Sequence, residues 1–125
     1  MSDLERRRAR HVVTENQRTL DMAEALATGD LERVGGLMNA SHTSLRDLYD
    51  VSSRELDIIT SLAREHPACW GARMTGAGFG GCGLAMIRAE KADEFVFDVE
   101  TAYRDETELP GALYLCRPVA GARLV

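Results

Sequence analysis

Cys69-Trp70-Gly71-Ala72-Arg73-Met74-Thr75-Gly76-Ala77-Gly78-Phe79-Gly80-Gly81-Cys82-Gly83-Leu84-Ala85-Met86-Ile87 is the stretch on which the fold turns. Residues 69–74 read as a strand entering a glycine run, and residues 84–87 form a short apolar strand leaving it, so the two are expected to pair as neighbours. Five of the eleven glycines lie between Gly76 and Gly83, which concentrates backbone freedom in the connection between the strands. Glycine tolerates positive φ and has no Cβ, so such a connection can aim successive N–H groups into one concavity, where a phosphate or another backbone comes close. A bulged hairpin with no ligand accounts for the same residues, and glycine density alone leaves both readings open.

Upstream the pattern is mainly helical. Residues 9–14 contain Val12 and Val13 between polar flanks and read as a strand. From Asn16 the period changes: Leu20, Ala23, Leu26 and Ala27 mark an amphipathic helix, which Gly29 stops, and Asp30 caps the next. In that second helix Leu31, Val34, Leu37 and Met38 repeat the stripe. Gly35 and Gly36 inside it each cost about 1 kcal/mol relative to alanine, which points to close backbone packing or an irregular turn. Ser52 with Glu55 reads as a capping box, and Leu56, Ile59, Leu62 and Ala63 share one face until His66-Pro67 ends the helix. Downstream of the glycine run, Phe95, Val99, Ala102 and Tyr103 define a further helix, and residues 113–117 return to a strand before Pro118. Strand, helices, strand, strand, helix, strand is the order of an α+β, ferredoxin-like split βαβ sandwich with extra helices in the first crossover.

The 125 residues, 45% hydrophobic and 28% charged, fit a single domain with a real core and leave no room for two. A formal charge of -5 opposes non-specific nucleic-acid binding, which depends on neutralising phosphates. Arg6, Arg7, Arg8 and Arg10 form a local exception and read as a solvated arm or strand edge. Cys69, Cys82 and Cys116 form no CxxC pair and read as reduced thiols. His11, His42 and His66 lack ligand spacing and read as surface or satisfied core histidines, so no metal site is expected. No apolar stretch approaches the roughly 20 residues of a membrane span, and the N-terminus does not look like a secretory leader, so the chain reads as soluble and cytoplasmic.

Gly76, Gly78 and Gly81 satisfy GxGxxG, but a dinucleotide fingerprint must open a helix, and a strand follows here. A Walker A loop fails as well, because no Gly-Lys-Ser or Gly-Lys-Thr follows Gly81. Spacing assigns no base, nucleophile or metal ligand. Asp47 and Asp50 beside Tyr49, and Asp98 and Glu100 further on, read as solvated faces. Thr75 is the hydroxyl best placed to touch a phosphate, and Phe79 reads as a plug that packs the loop down.

At this point the chain resembles a known family. The blocks Arg8-Ala9-Arg10-His11-Val12-Val13-Thr14-Glu15-Asn16-Gln17-Arg18, Gly29-Asp30-Leu31, Ser41-His42-Thr43-Ser44-Leu45-Arg46-Asp47, Val51-Ser52 with Glu55-Leu56-Asp57, and above all Ala72-Arg73-Met74-Thr75-Gly76-Ala77-Gly78-Phe79-Gly80-Gly81-Cys82 resemble the C-terminal region of galactokinases, in the GHMP small-molecule kinase superfamily. The ending Ala120-Gly121-Ala122-Arg123 is similar too. The resemblance implies a ferredoxin-like core whose glycine block, the family's third signature motif, packs beside the ATP phosphate-binding loop and shapes the cleft where a phosphoryl group passes to the C1 hydroxyl of galactose. It implies Thr75, Gly76, Gly78, Gly80 and Gly81 as backbone lining, with Phe79 as packing. ATP and Mg2+ are the implied cofactors of the complete enzyme.

Departures from the family pattern are Ala77 where glycine is common, Ser53-Arg54 for Cys-Pro, and Leu48 for an acidic residue. The family's catalytic Asp and Arg, its galactose ligands and its serine-rich ATP loop belong to an N-terminal domain that no segment here matches. The expectation is therefore a C-terminal GHMP kinase domain over residues 1–125, inactive alone, whose partner is a galactokinase N-terminal domain in cis or as a separate chain. A free-standing binding module that has lost kinase chemistry, or a homodimer, is the alternative.

Overall fold

A computed structural model describes residues 1–79, 81–120, 122 and 124. Helix α1 (Asp3–Thr28) starts at a capping box, with Glu5 N–H donating to Ser2 Oγ and Ser2 N–H to the Glu5 carboxylate. Gly29, at φ 70, ends it, and Asp30 caps α2 (Leu31–Asp47) by accepting from Arg33 N–H. The stop and the cap fall where the sequence puts them. Helix α3 (Arg54–Glu65) is capped by Ser53, which accepts from Leu56 N–H, and it ends at His66 before Pro67. Strands β1 (Cys69–Met74) and β2 (Gly83–Ile87) pair antiparallel, from Cys69 opposite Ile87 to Met74 opposite Gly83, with a bulge at Trp70. A short 3-10 turn (Ala89–Lys91) leads into α4 (Ala92–Thr107), which buries Phe95, Val99 and Tyr103.

The seam between α2 and β1 explains much of the sequence. Residues 35, 39 and 42 lie on one face of α2 at four- and three-residue spacing. Gly35 lets the helix backbone touch the strand backbone: a Cβ there would lie 1.9 Å from the Trp70 carbonyl oxygen, and one on Gly71 would lie 2.2 Å from the Gly35 oxygen. Asn39 Oδ1 accepts from Ala72 N–H at 2.9 Å, and His42 Nδ1 accepts from Met74 N–H at 3.0 Å. Two side chains of a helix thus satisfy donors along the edge of β1 that β2 does not cover. Apolar packing lies in two groups, Ala63, Ala68, Ala72, Phe95 and Val99 on one side, and Ala25, Val34 and Met38 on the other.

The α+β class holds, and the hairpin lies at the expected residues. The outer strands do not form. Residues 9–14 are helical, because two valines cannot outweigh a capped run of helix formers that buries His11 and Ala25 on one side. The arginine cluster is accordingly neither a solvated arm nor a strand edge. It lies on α1, where Arg7 and Arg8 each donate to a carbonyl at the end of α2 and to Asp50. Residues 113–117 have no ladder partner, since the first strand of the expected sheet is a helix; Leu113 N–H donates to Glu100 instead. The expected Ser52 capping box is also displaced by one residue, since Ser53 takes the cap and Ser52 Oγ donates to Asp57.

Candidate functional site

The connection 75–82 leaves β1 and enters β2, closed at its base by Thr75 N–H donating to the Cys82 carbonyl at 3.0 Å. Gly76, Gly78 and Gly81 have φ of 76, 87 and 105, values that side chains rarely adopt. Gly78 also has no room for a Cβ, which would sit 2.1 Å from the Val51 oxygen. Around Gly76 and Gly81 nothing lies within 4 Å of that position, so their backbone is open to approach. Among the described residues, the N–H groups of Gly76, Ala77 and Gly78 have no protein acceptor, and the Thr75 hydroxyl is unpaired and exposed. Alternating left-handed glycines with unsatisfied N–H groups make an anion-binding concavity. The loop carries no carboxylate, so it fits phosphate oxygens and offers a metal ion only one hydroxyl, the Cys82 thiol and carbonyls.

Two anchors hold the loop. His42 fixes its entry through Met74, and Val51 fixes its apex by accepting from Phe79 N–H at 2.6 Å. Phe79 is not the expected plug. The residue is 72% exposed and its φ is 59, because the backbone, not the ring, makes the packing contact. Gly80, expected as lining, lies outside the described residues. The structure thus brings Thr75, Gly76, Gly78 and Gly81 together on one loop.

The histidines are satisfied rather than ligating. His42 accepts at Nδ1, so Nε2 carries the proton and donates to Asp57 at 3.0 Å. Burial pushes its pKa down, against the opposing effect of Asp57. His11 is buried against Ser44 at 2.8 Å and stacks near Tyr49, and its pKa is likewise lowered chiefly by burial. His66, Glu94 and Asp98 come close enough for a cation. Yet His66 Nδ1 accepts from Ala68 N–H, which commits Nε2–H to Asp98 and leaves no free lone pair on the ring. Asp57, which joins Ser52 to His42, was not singled out by sequence reasoning; its spacing of five from Ser52 was the available signal, and it was masked by the apparent capping box.

An apolar cleft of about 460 Å³ opens between α3, β2, α4 and residues 111–116, floored by Phe95 and Val99. It meets the loop only at its rim, through Gly81 and Cys82. No helix of the described residues is long and apolar enough to cross a membrane.

The glycine loop, the hairpin that carries it and the helices behind it lie largely within a segment that matches a defined class. Residues 22–105 match the family described as GHMP kinases C terminal, and the chain belongs to it. Within that class it is similar to galactokinases. That of Roseiflexus sp. (strain RS-1) is 45% identical over 116 residues, which cover 93% of this chain and 30% of that protein. The crystal structure of Lactococcus lactis galactokinase complexed with galactose superposes with a TM-score of 0.84 at 40% identity, covering 87% of this chain and 28% of that one. L. major mevalonate kinase in complex with R-mevalonate gives a TM-score of 0.62 at 37% identity, covering 68% of this chain and 26% of that one. This chain therefore corresponds to the C-terminal part of galactokinases and spans about 30% of the length of the curated relatives it matches.

Proposed function

We propose that this chain forms the glycine-rich wall of the phosphate cleft in a galactokinase-like sugar kinase that transfers phosphate from ATP to the C1 hydroxyl of galactose. The observation that carries the reading is the loop itself: left-handed glycines, open backbone at Gly76 and Gly81, and N–H groups at Gly76, Ala77 and Gly78 without acceptors. Bound ATP supplies the transferable phosphoryl group and Mg2+ neutralises its charge. The chain's own share is to present these N–H groups and the Thr75 hydroxyl to phosphate oxygens, and to hold them still through Val51 and His42. The Ala77 methyl limits how closely a phosphate comes at that residue.

Base, arginine and sugar contacts fall to an N-terminal part, in cis or as a second chain. Phosphoryl transfer depends on positioning and charge neutralisation from both walls of a cleft, so this chain alone turns over no substrate. Mixing it with an N-terminal galactokinase fragment should restore galactose-dependent ATP consumption in a coupled assay. No activity from the mixture, with both parts folded, would overturn the reading, and so would turnover by this chain alone.

A second reading draws on the apolar cleft, whose rim exposes Leu84, Tyr114 and Leu115. A chain acting alone would cover this face by pairing with another copy. Light scattering giving a monomer mass at high protein concentration would remove that reading.

A further inference from the structure

The residues that hold the loop's anchor in place lie far from it in sequence. Arg7 Nη2 donates to the Asp47 carbonyl at 2.6 Å and to Asp50 Oδ2 at 3.0 Å. Arg8 Nη1 donates to the Leu48 carbonyl at 2.6 Å and to the same Asp50 oxygen at 2.9 Å. Two neighbouring arginines of α1 therefore satisfy carbonyls at the end of α2 and converge on one carboxylate of the 48–53 connector. Asp50 has φ 57, a left-handed conformation that the clamp stabilises. The next residue is Val51, whose carbonyl accepts from Phe79 N–H and lies directly against Gly78. One peptide unit separates the clamp from the loop.

We propose that Asp50, held by Arg7 and Arg8, is a positioning residue that seats the glycine loop by fixing Val51. Its consequence for nucleotide binding rests on the phosphate role proposed above. Exposed ion pairs add little to global stability, so loss of the clamp is felt in the loop and not throughout the chain.

Amide hydrogen exchange of the purified chain, followed by NMR, tests this. Asp50→Asn keeps a residue that tolerates positive φ and removes the charge, so it should raise exchange at the Phe79 amide by about fivefold or more while Val99, inside α4, changes less than about twofold. Arg8→Lys, which keeps a cation and a donor, should restore most of the protection that Arg8→Gln loses. Arg8→Gln combined with Asp50→Asn should exceed neither single variant by much, because both break one clamp. Arg6→Gln, at a residue whose ion pair is to Asp3, should leave Phe79 unchanged. Unmoved exchange at Phe79, equal acceleration at Phe79 and Val99, or additive effects of the pair would each overturn the proposal. In the complemented kinase, Asp50→Asn should raise KM for ATP more than it lowers kcat. An accelerated Phe79 with ATP kinetics unchanged would leave the clamp standing and count against the phosphate role alone.

Discussion

Replacing Gly35 by alanine tests the α2–β1 seam most directly. Intrinsic propensity favours the change, since alanine inside a helix is better than glycine by about 1 kcal/mol. Geometry opposes it: the new Cβ would lie 1.9 Å from the Trp70 oxygen and 2.4 Å from its carbonyl carbon, and both belong to backbone. Ordinary contact begins at 3.4 Å, so strand and helix must part by about 1.5 Å. That displacement stretches the Asn39–Ala72 and His42–Met74 bonds, now 2.9 and 3.0 Å, beyond hydrogen-bonding range. Leaving buried partners unsatisfied costs about 1–3 kcal/mol each, so after the propensity gain the net loss is about 1–5 kcal/mol. Gly36 is the internal control. It is exposed and has nothing within 4 Å of its Cβ position, so alanine there should stabilise by about 0.5–1 kcal/mol. Urea denaturation of both variants should show a lowered midpoint for Gly35→Ala, a raised one for Gly36→Ala, and the parent slope for each. A Gly35→Ala midpoint at or above the parent's, or equal destabilisation by both variants, would refute the reasoning.

Acid should weaken the fold before its carboxylates titrate. His11 and His42 both have pKa values lowered in the folded chain, chiefly by burial, so above about 6.5 they are neutral in both states and their contribution is fully present. Below that value the unfolded chain takes up protons first, and the urea midpoint should fall between pH 7 and 5.5; a constant or rising midpoint would contradict the burial argument. Phe79→Ser should change stability by less than about 0.5 kcal/mol by the same urea assay, because the residue is 72% exposed and the contact to Val51 is made by the backbone. A loss above about 1.5 kcal/mol would restore the ring as a packing element.

What was legible in the sequence is what local chemistry fixes. Gly29 and Asp30 mark a boundary on their own, as does His66-Pro67, and the glycine run between two apolar segments specifies a hairpin. Residues 9–14 and 113–117 failed for a different reason, because a strand exists only if a neighbour does, and pairing is a property of distant residues. Val12 and Val13 are 48% and 68% exposed on α1, so their branched side chains say nothing about the sheet. The candidate site divides in the same way. Glycine density pointed to the loop, but nothing local to Phe79 shows that its N–H, and not its ring, is tied down, or that the tie is to Val51. Asp50 looked like a solvated carboxylate, since its partners Arg7 and Arg8 lie 43 and 42 positions upstream.

The placement of Asn39 and His42 against β1 gives the sheet a direction of growth. A helix has closed one side of the hairpin, with its side chains occupying the donors that another strand would use. Among the described residues β2 alone keeps an unpaired edge, beside an apolar cleft. Any strand added to this sheet, from the same polypeptide or another, has one point of entry, and self-association through β pairing is barred at β1 and possible only at β2.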